Sequence, residues 1–117
     1  MKIFEVKEIL KATVLVGADK LDREIVAGGS ADLMDDILAA LAERSVLLTG
    51  MTNEQVLRTA KVSGVGAIVF VRGKVPGEKI IEMAKSLDVP ILHTHYSMFV
   101  ASGRLYMAGL RGLDGSW

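Results

Sequence analysis

The stretch VLLTGMTNEQVLRTAKVSGVGAIVFV (residues 46–71) decides the fold. It opens on a short apolar run, VLLT (46–49), turns at Gly50 and then becomes polar with helix-start chemistry. Thr52 followed three residues later by Gln55 fits the capping box, in which each side chain satisfies the other's exposed backbone amide, and Gly64 supplies a helix stop. The spacing therefore predicts a helix over 52–64. AIVFV (67–71) is apolar at every position, which predicts a strand covered on both faces. Strands joined through a helix by short loops run parallel and connect by right-handed crossovers.

The same alternation extends outward. Before it, VKEIL (6–10) reads as a short helix, TVLVG (13–17) as a strand, GADKLDRE (17–24) as a loop and IVAG (25–28) as a second strand. From Ser30, an expected N-cap, Leu33, Met34, Ile37, Leu38 and Leu41 recur at helical spacing. Asp32, Asp35 and Asp36 stand in or near the first turn, where carboxylates favour the helix dipole, and read as a solvated turn rather than an acid/base pair. After it, Pro76 is placed as the first residue of the helix PGEKIIEMAKSLD (76–88), with Ile80, Ile81, Ala84 and Leu87 as its buried stripe. ILHT (91–94) is the last strand. HYSMFVASGRLYMAG (95–109) is a last helix interrupted at Gly103, and the tail RGLDGSW (111–117) is frayed or contacts a partner. With no linker, low-complexity tract or repeat, residues 1–117 are expected to form one α/β domain, a mainly parallel sheet with helices on both faces.

Composition narrows the function classes. Lys plus Arg number 14 and Asp plus Glu 14, a net charge of zero that removes the electrostatic case for nucleic acid or an anionic membrane. The absence of cysteine excludes disulfides, thiolate nucleophiles and thiolate metal sites within the chain. No apolar run is long enough to span a bilayer and charges break the first ten residues, so a cytoplasmic location is expected. Mean hydropathy is +0.38. That is high for a small soluble domain and predicts apolar surface covered by a second copy, with Met98, Phe99, Val100, Leu105, Met107 and Leu110 of the final helix supplying it. Met83 and Tyr106 likewise read as core or interface filling.

In an open parallel sheet, ligands sit where strand carboxyl ends meet helix N-termini. Here those ends carry Gly28, Gly29 and Ser30; Thr49, Gly50, Thr52 and Asn53; Arg72 and Lys74; and His95, which together are the candidate ligand-binding residues. Glycine admits a ligand to backbone amides, and Arg72 and Lys74 add positive charge, so an anion is expected over the amides following Gly50 or Gly29. The same residue types have ordinary structural uses, with Ser30, Thr52 and Thr94 as helix caps. His93 and His95 alternate by two but lack neighbouring carboxylates, and a hydrogen-bonding role is expected instead of a metal site. No Walker lysine or dinucleotide glycine fingerprint occurs. No catalytic residue, metal or cofactor is assigned.

The segments LDREIVAGG (21–29), LLTGMTNEQVLRTA (47–60), AIVFVRGKVP (67–76) and VPILHTHYSMFVASGRL (89–105) give the chain a resemblance to the DRTGG domain, from about Val6 to Leu110. Asp22-Arg23 and Thr49-Gly50 are the nearest pieces of that motif, with Met51 where a second glycine would stand. The resemblance implies a fold similar to the N-terminal domain of HPr kinase/phosphorylase. It also implies a regulatory or ligand-sensing module of the kind found with phosphotransacetylases and CBS domains, without the kinase apparatus. A nucleotide or phosphorylated small molecule is the expected ligand, and a partner enzyme or signalling protein the expected recipient of the signal. The alternative is a subunit or fragment of an enzyme system in acyl-phosphate or phosphoryl-transfer metabolism.

Overall fold

The computed structural model describes residues 1–33 and 43–113. Five strands, β1 (Thr13–Val16), β2 (Ala27–Ser30), β3 (Ser45–Thr49), β4 (Ala67–Phe70) and β5 (Ile91–His93), form one sheet in the order β1-β5-β4-β3-β2. β2 to β5 pair in parallel, while β1 lies antiparallel to β5 at one edge. Among the described residues four α-helices pack on the sheet: α1 (Ile3–Leu10), α2 (Glu54–Ser63), α3 (Glu78–Leu87) and α4 (Met98–Met107).

Side-chain alternation along the strands builds two cores. Val46, Leu48, Ala67, Val69 and Leu92 face α1 and α4, and Leu47, Ile68, Phe70 and Ile91 face α2 and α3. All are buried. β3, β4 and β5 are successive neighbours, and right-handed crossovers that advance in one direction leave their helices on one face. The other face is then free for α1 and α4. The mainly parallel sheet with helices on both faces is the architecture expected from the sequence, and β1 is the exception to its parallel run.

Several local boundaries differ, each for a physical reason. α1 begins at Ile3, because Glu5 accepts the Lys2 N–H at 3.0 Å and Ile3, Val6 and Leu10 share a buried stripe. β2 is AGGS rather than IVAG: pairing with β3 overrides the poor strand propensity of glycine, and Leu110 packs so close over Gly28 that a Cβ would lie 3.0 Å from its Cδ2. Ser30 thus ends a strand and does not cap a helix. Asn53, not Thr52, caps α2, its Oδ1 accepting from Val56 N at 3.1 Å. Gly64 stops that helix with φ 75°.

Pro76 lies outside α3, which starts at Glu78 after Gly77. Thr94 is not a cap. It is buried and donates its hydroxyl to the Leu10 carbonyl at 2.7 Å, satisfying an acceptor that the end of α1 leaves free. Ser97 caps α4 instead, at 3.2 Å from Val100 N, and α4 runs unbroken through Gly103. Residues 111–113 are not frayed: Gly28 N donates to Arg111 O at 2.9 Å and Leu113 N to Gly28 O at 3.1 Å, which covers the free edge of β2. The helical spacing read from Leu33 to Leu41 falls, from residue 34 onward, outside the described residues.

Candidate functional site at the carboxyl edge of the sheet

Parallel pairing brings the carboxyl ends of β2, β3, β4 and β5 to one edge, and the loops leaving them are hydrogen-bonded in series. Ala31 N donates to Leu48 O at 3.1 Å, Val71 N to Thr49 O at 3.0 Å, Arg72 N to Tyr96 O at 2.7 Å and Gly73 N to Thr94 O at 2.8 Å. These bonds fix loop to loop, so residues distant in sequence become a continuous rim.

Asp32 joins the first two loops. Its Oδ1 accepts from Gly50 N at 2.9 Å and from Thr49 Oγ1 at 3.2 Å, while Met51 N donates to Thr49 Oγ1 at 3.2 Å. Both amides around the Gly50 turn, where an anion was expected, are therefore held by the chain's own acceptors. Arg72 and Gly73 form the exit from β4 with φ 59° and 68°, a turn closed by Lys74 N to Val71 O at 3.1 Å. A non-glycine residue in this left-handed region is strained.

The turn lays the Arg72 guanidinium directly over Gly50, where a Cβ would collide with Nη2, and the His95 ring over Gly73, where a Cβ would lie 3.1 Å from Nδ1. No ion pair to Arg72 or Lys74 forms among the described residues. The Asn53 carboxamide is committed to its cap, and Thr52 lies half-buried beside it.

The first loop's residues divide. Ser30, at the end of β2, bonds Ser102 of α4 through their hydroxyls at 2.6 Å. Gly28 and Gly29 lie further back along the strand and line a niche of about 140 Å3 with Ser30, Leu105, Tyr106 and Leu110. A nucleotide-sized ligand needs a pocket of roughly 300 Å3 or more, so this niche alone is too small for one. His93 and His95 rings meet edge to face, 5.8 Å apart, and among the described residues no three His, Asp or Glu side chains are arranged to hold a metal.

A family model of the DRTGG domain matches residues 5–108, nearly the whole of this fold. The chain belongs to the DRTGG domain family. No curated protein sequence matches it significantly. In fold, the DRTGG domain described here is similar to the crystal structure of the CBS and DRTGG domains of the regulatory region of Clostridium perfringens pyrophosphatase, complexed with its activator diadenosine tetraphosphate. The TM-score is 0.74 at 16% identity, over 97% of this chain and 48% of that one, so this chain spans about half the length of the protein it matches.

Two features of this DRTGG domain's rim have no sequence signal. Asp32 reads as a helix-turn acid, yet it bridges to a loop 18 residues away. Arg104 of α4 stacks over Tyr96, its guanidinium carbon 4.4 Å from the ring centroid, bringing a third cation to the rim loop. The shortest ion pairs among the described residues lie elsewhere: Lys20 meets Asp88 at 2.6 Å, and Lys79 and Arg58 each meet Glu54 at 2.7 Å. Lys20 holds the Asp88 carboxyl below its ordinary value, and Lys79 does the same for Glu54. Among the described residues no helix is long and apolar enough to cross a membrane.

Proposed function

We propose that this DRTGG domain is a non-catalytic regulatory module that senses a phosphorylated small molecule, a nucleotide in particular, at its carboxyl-edge rim. The observation that carries this reading is Arg72: an exposed guanidinium without an ion pair among the described residues, held over Gly50 by a strained left-handed turn. Strain kept at a strand exit points to a use for the side chain it positions. The planar fork of a guanidinium matches two phosphate oxygens at once.

Because Asp32 already occupies the Gly50 amide, the phosphate is taken by side chains, Arg72 first and Lys74 beside it. Thr49, Thr52, Asn53 and His95 border the site, and Gly28, Gly29 and Ser30 form its outer flank. The pyrophosphatase region similar in fold is regulatory and takes an adenine dinucleotide polyphosphate, which supports a nucleotide as the ligand class. The module reports occupancy to a partner enzyme or signalling protein, in the cytoplasm.

The test is a thermal-shift screen of the full chain against mononucleotides, dinucleoside polyphosphates, acetyl phosphate and coenzyme A, with each ligand recovered and checked for turnover. A ligand at 100 times its Kd should stabilise the fold by about 2.7 kcal/mol and be recovered intact. Silence across the screen overturns the reading. Turnover by the chain alone replaces it with an enzyme subunit in acyl-phosphate or phosphoryl-transfer metabolism.

A further inference from the structure

Among the described residues the outward face of α4 is covered only at Tyr106, where the Arg111 guanidinium carbon lies 4.1 Å from the ring centroid. Ala101 and Leu105 turn into the core, whereas Phe99 and Met107 are 87% and 89% exposed and Val100 and Tyr106 are 41% and 44% exposed. At about 100° per residue these four side chains fall within one arc of roughly 120°. Gly103 stands at the centre of that arc, opposite the buried side. A glycine inside a helix weakens it relative to alanine. Nothing lies within 4 Å of where a Gly103 Cβ would be, so no contact among the described residues calls for glycine here.

The geometry points to a second copy of this chain as the occupant, packed across α4 with the two helices crossing at Gly103. The pattern is symmetric about that residue: Phe99 and Met107 stand four positions to either side, Val100 and Tyr106 three. A two-fold axis through Gly103 that sets the helices antiparallel places Phe99 against the partner's Met107 and the reverse, the self-complementarity an isologous contact requires. The bare glycine lets the two backbones approach.

Charge agrees. α4 carries no carboxylate, and its one cation, Arg104, is stacked on Tyr96 of its own chain. Apart from the Arg111 guanidinium stacked on Tyr106, the face offers nothing to a charged partner. The four side chains expose on the order of 500 Å2, so two copies remove about 1,000 Å2 from water, the lower bound of a specific interface. This contact shares only Tyr106 with the niche beside Gly28 and Gly29 and neither Arg72 nor Lys74, so its test reads separately from the ligand reading at the rim.

Sedimentation velocity of the full chain from about 1 to 100 µM tests it, a range that brackets a micromolar Kd. The chain should be dimeric at the upper end. Phe99→Glu should be monomeric throughout with an unchanged circular dichroism spectrum. Gly103→Ala should weaken the dimer about tenfold while raising the thermal midpoint measured at about 1 µM, where the monomer dominates. A wild-type chain that stays monomeric overturns the proposal, as does wild-type dimerisation in both variants. A lower midpoint for Gly103→Ala would assign the glycine to the chain's own fold and overturn it equally.

Discussion

Replacing Arg72 by glycine should move stability and ligand binding in opposite directions. Arg72 and Gly73 are the central residues of the Val71–Lys74 turn, both with positive φ, the pattern of a type I′ turn that ordinarily carries Asn-Gly. Holding an L-residue there costs roughly 1–2 kcal/mol, which glycine relieves. Against that stands roughly 0.5–1 kcal/mol for the greater freedom of glycine in the unfolded chain. The Arg72 N–H to Tyr96 O bond at 2.7 Å is made by the backbone and survives the change.

The net expectation for Arg72→Gly is a gain of about 0.5 kcal/mol, read from urea denaturation as a higher midpoint at unchanged slope. Binding of the ligand found by thermal shift should meanwhile weaken by roughly 1–3 kcal/mol, about 10- to 100-fold, measured by calorimetry. Arg72→Lys should recover part of the affinity, because a point charge replaces the planar fork. A loss of more than about 1 kcal/mol of stability in Arg72→Gly would mean that the guanidinium holds the rim together. Unchanged affinity would move the ligand elsewhere.

Thr94→Val should destabilise the fold by about 1–3 kcal/mol, since it keeps the volume but leaves the Leu10 carbonyl without its donor at 2.7 Å. A urea midpoint equal to wild type would refute that account of the α1–β5 junction. Asp88 closes α3 at φ 59° and pairs with Lys20 at 2.6 Å and Arg23 at 3.5 Å. Its carboxyl is held below the ordinary 3.8, so the stabilisation is present above that value and is lost as pH falls through the lower folded pKa. Asp88→Asn, whose new side chain tolerates the left-handed backbone, should therefore show a shallower fall of melting temperature than wild type from about pH 5 to pH 2. Parallel curves would remove Asp88 from the acid limb.

How much was legible in the sequence follows from the range of the forces involved. Residues 46–71 specify strand, helix and strand because hydrophobic period and capping chemistry act within a few residues. Asn53 and Thr52 compete for one cap at neighbouring positions, and the geometry of the turn chose the carboxamide. The antiparallel run of β1 was not read from the sequence. The loop after TVLVG has no helical period, and a strand that ends at the amino edge of the sheet needs no crossover: the chain passes Gly17 against Pro90 and Ile25 against Gly66 to reach β2.

By itself, then, the sequence determined which segments are strands and helices, which faces are apolar, and that strand exits carry glycine and cations, because these are properties of neighbours along the chain. Only the tertiary structure decided the register of β2, the closure of its edge by residues 111–113, the Asp32 carboxylate on Gly50, Arg104 on Tyr96 and Arg72 over Gly50. Each is a contact between segments that meet only after the sheet has formed. Its energy depends on positions fixed by the packing of the whole domain, which no local pattern encodes.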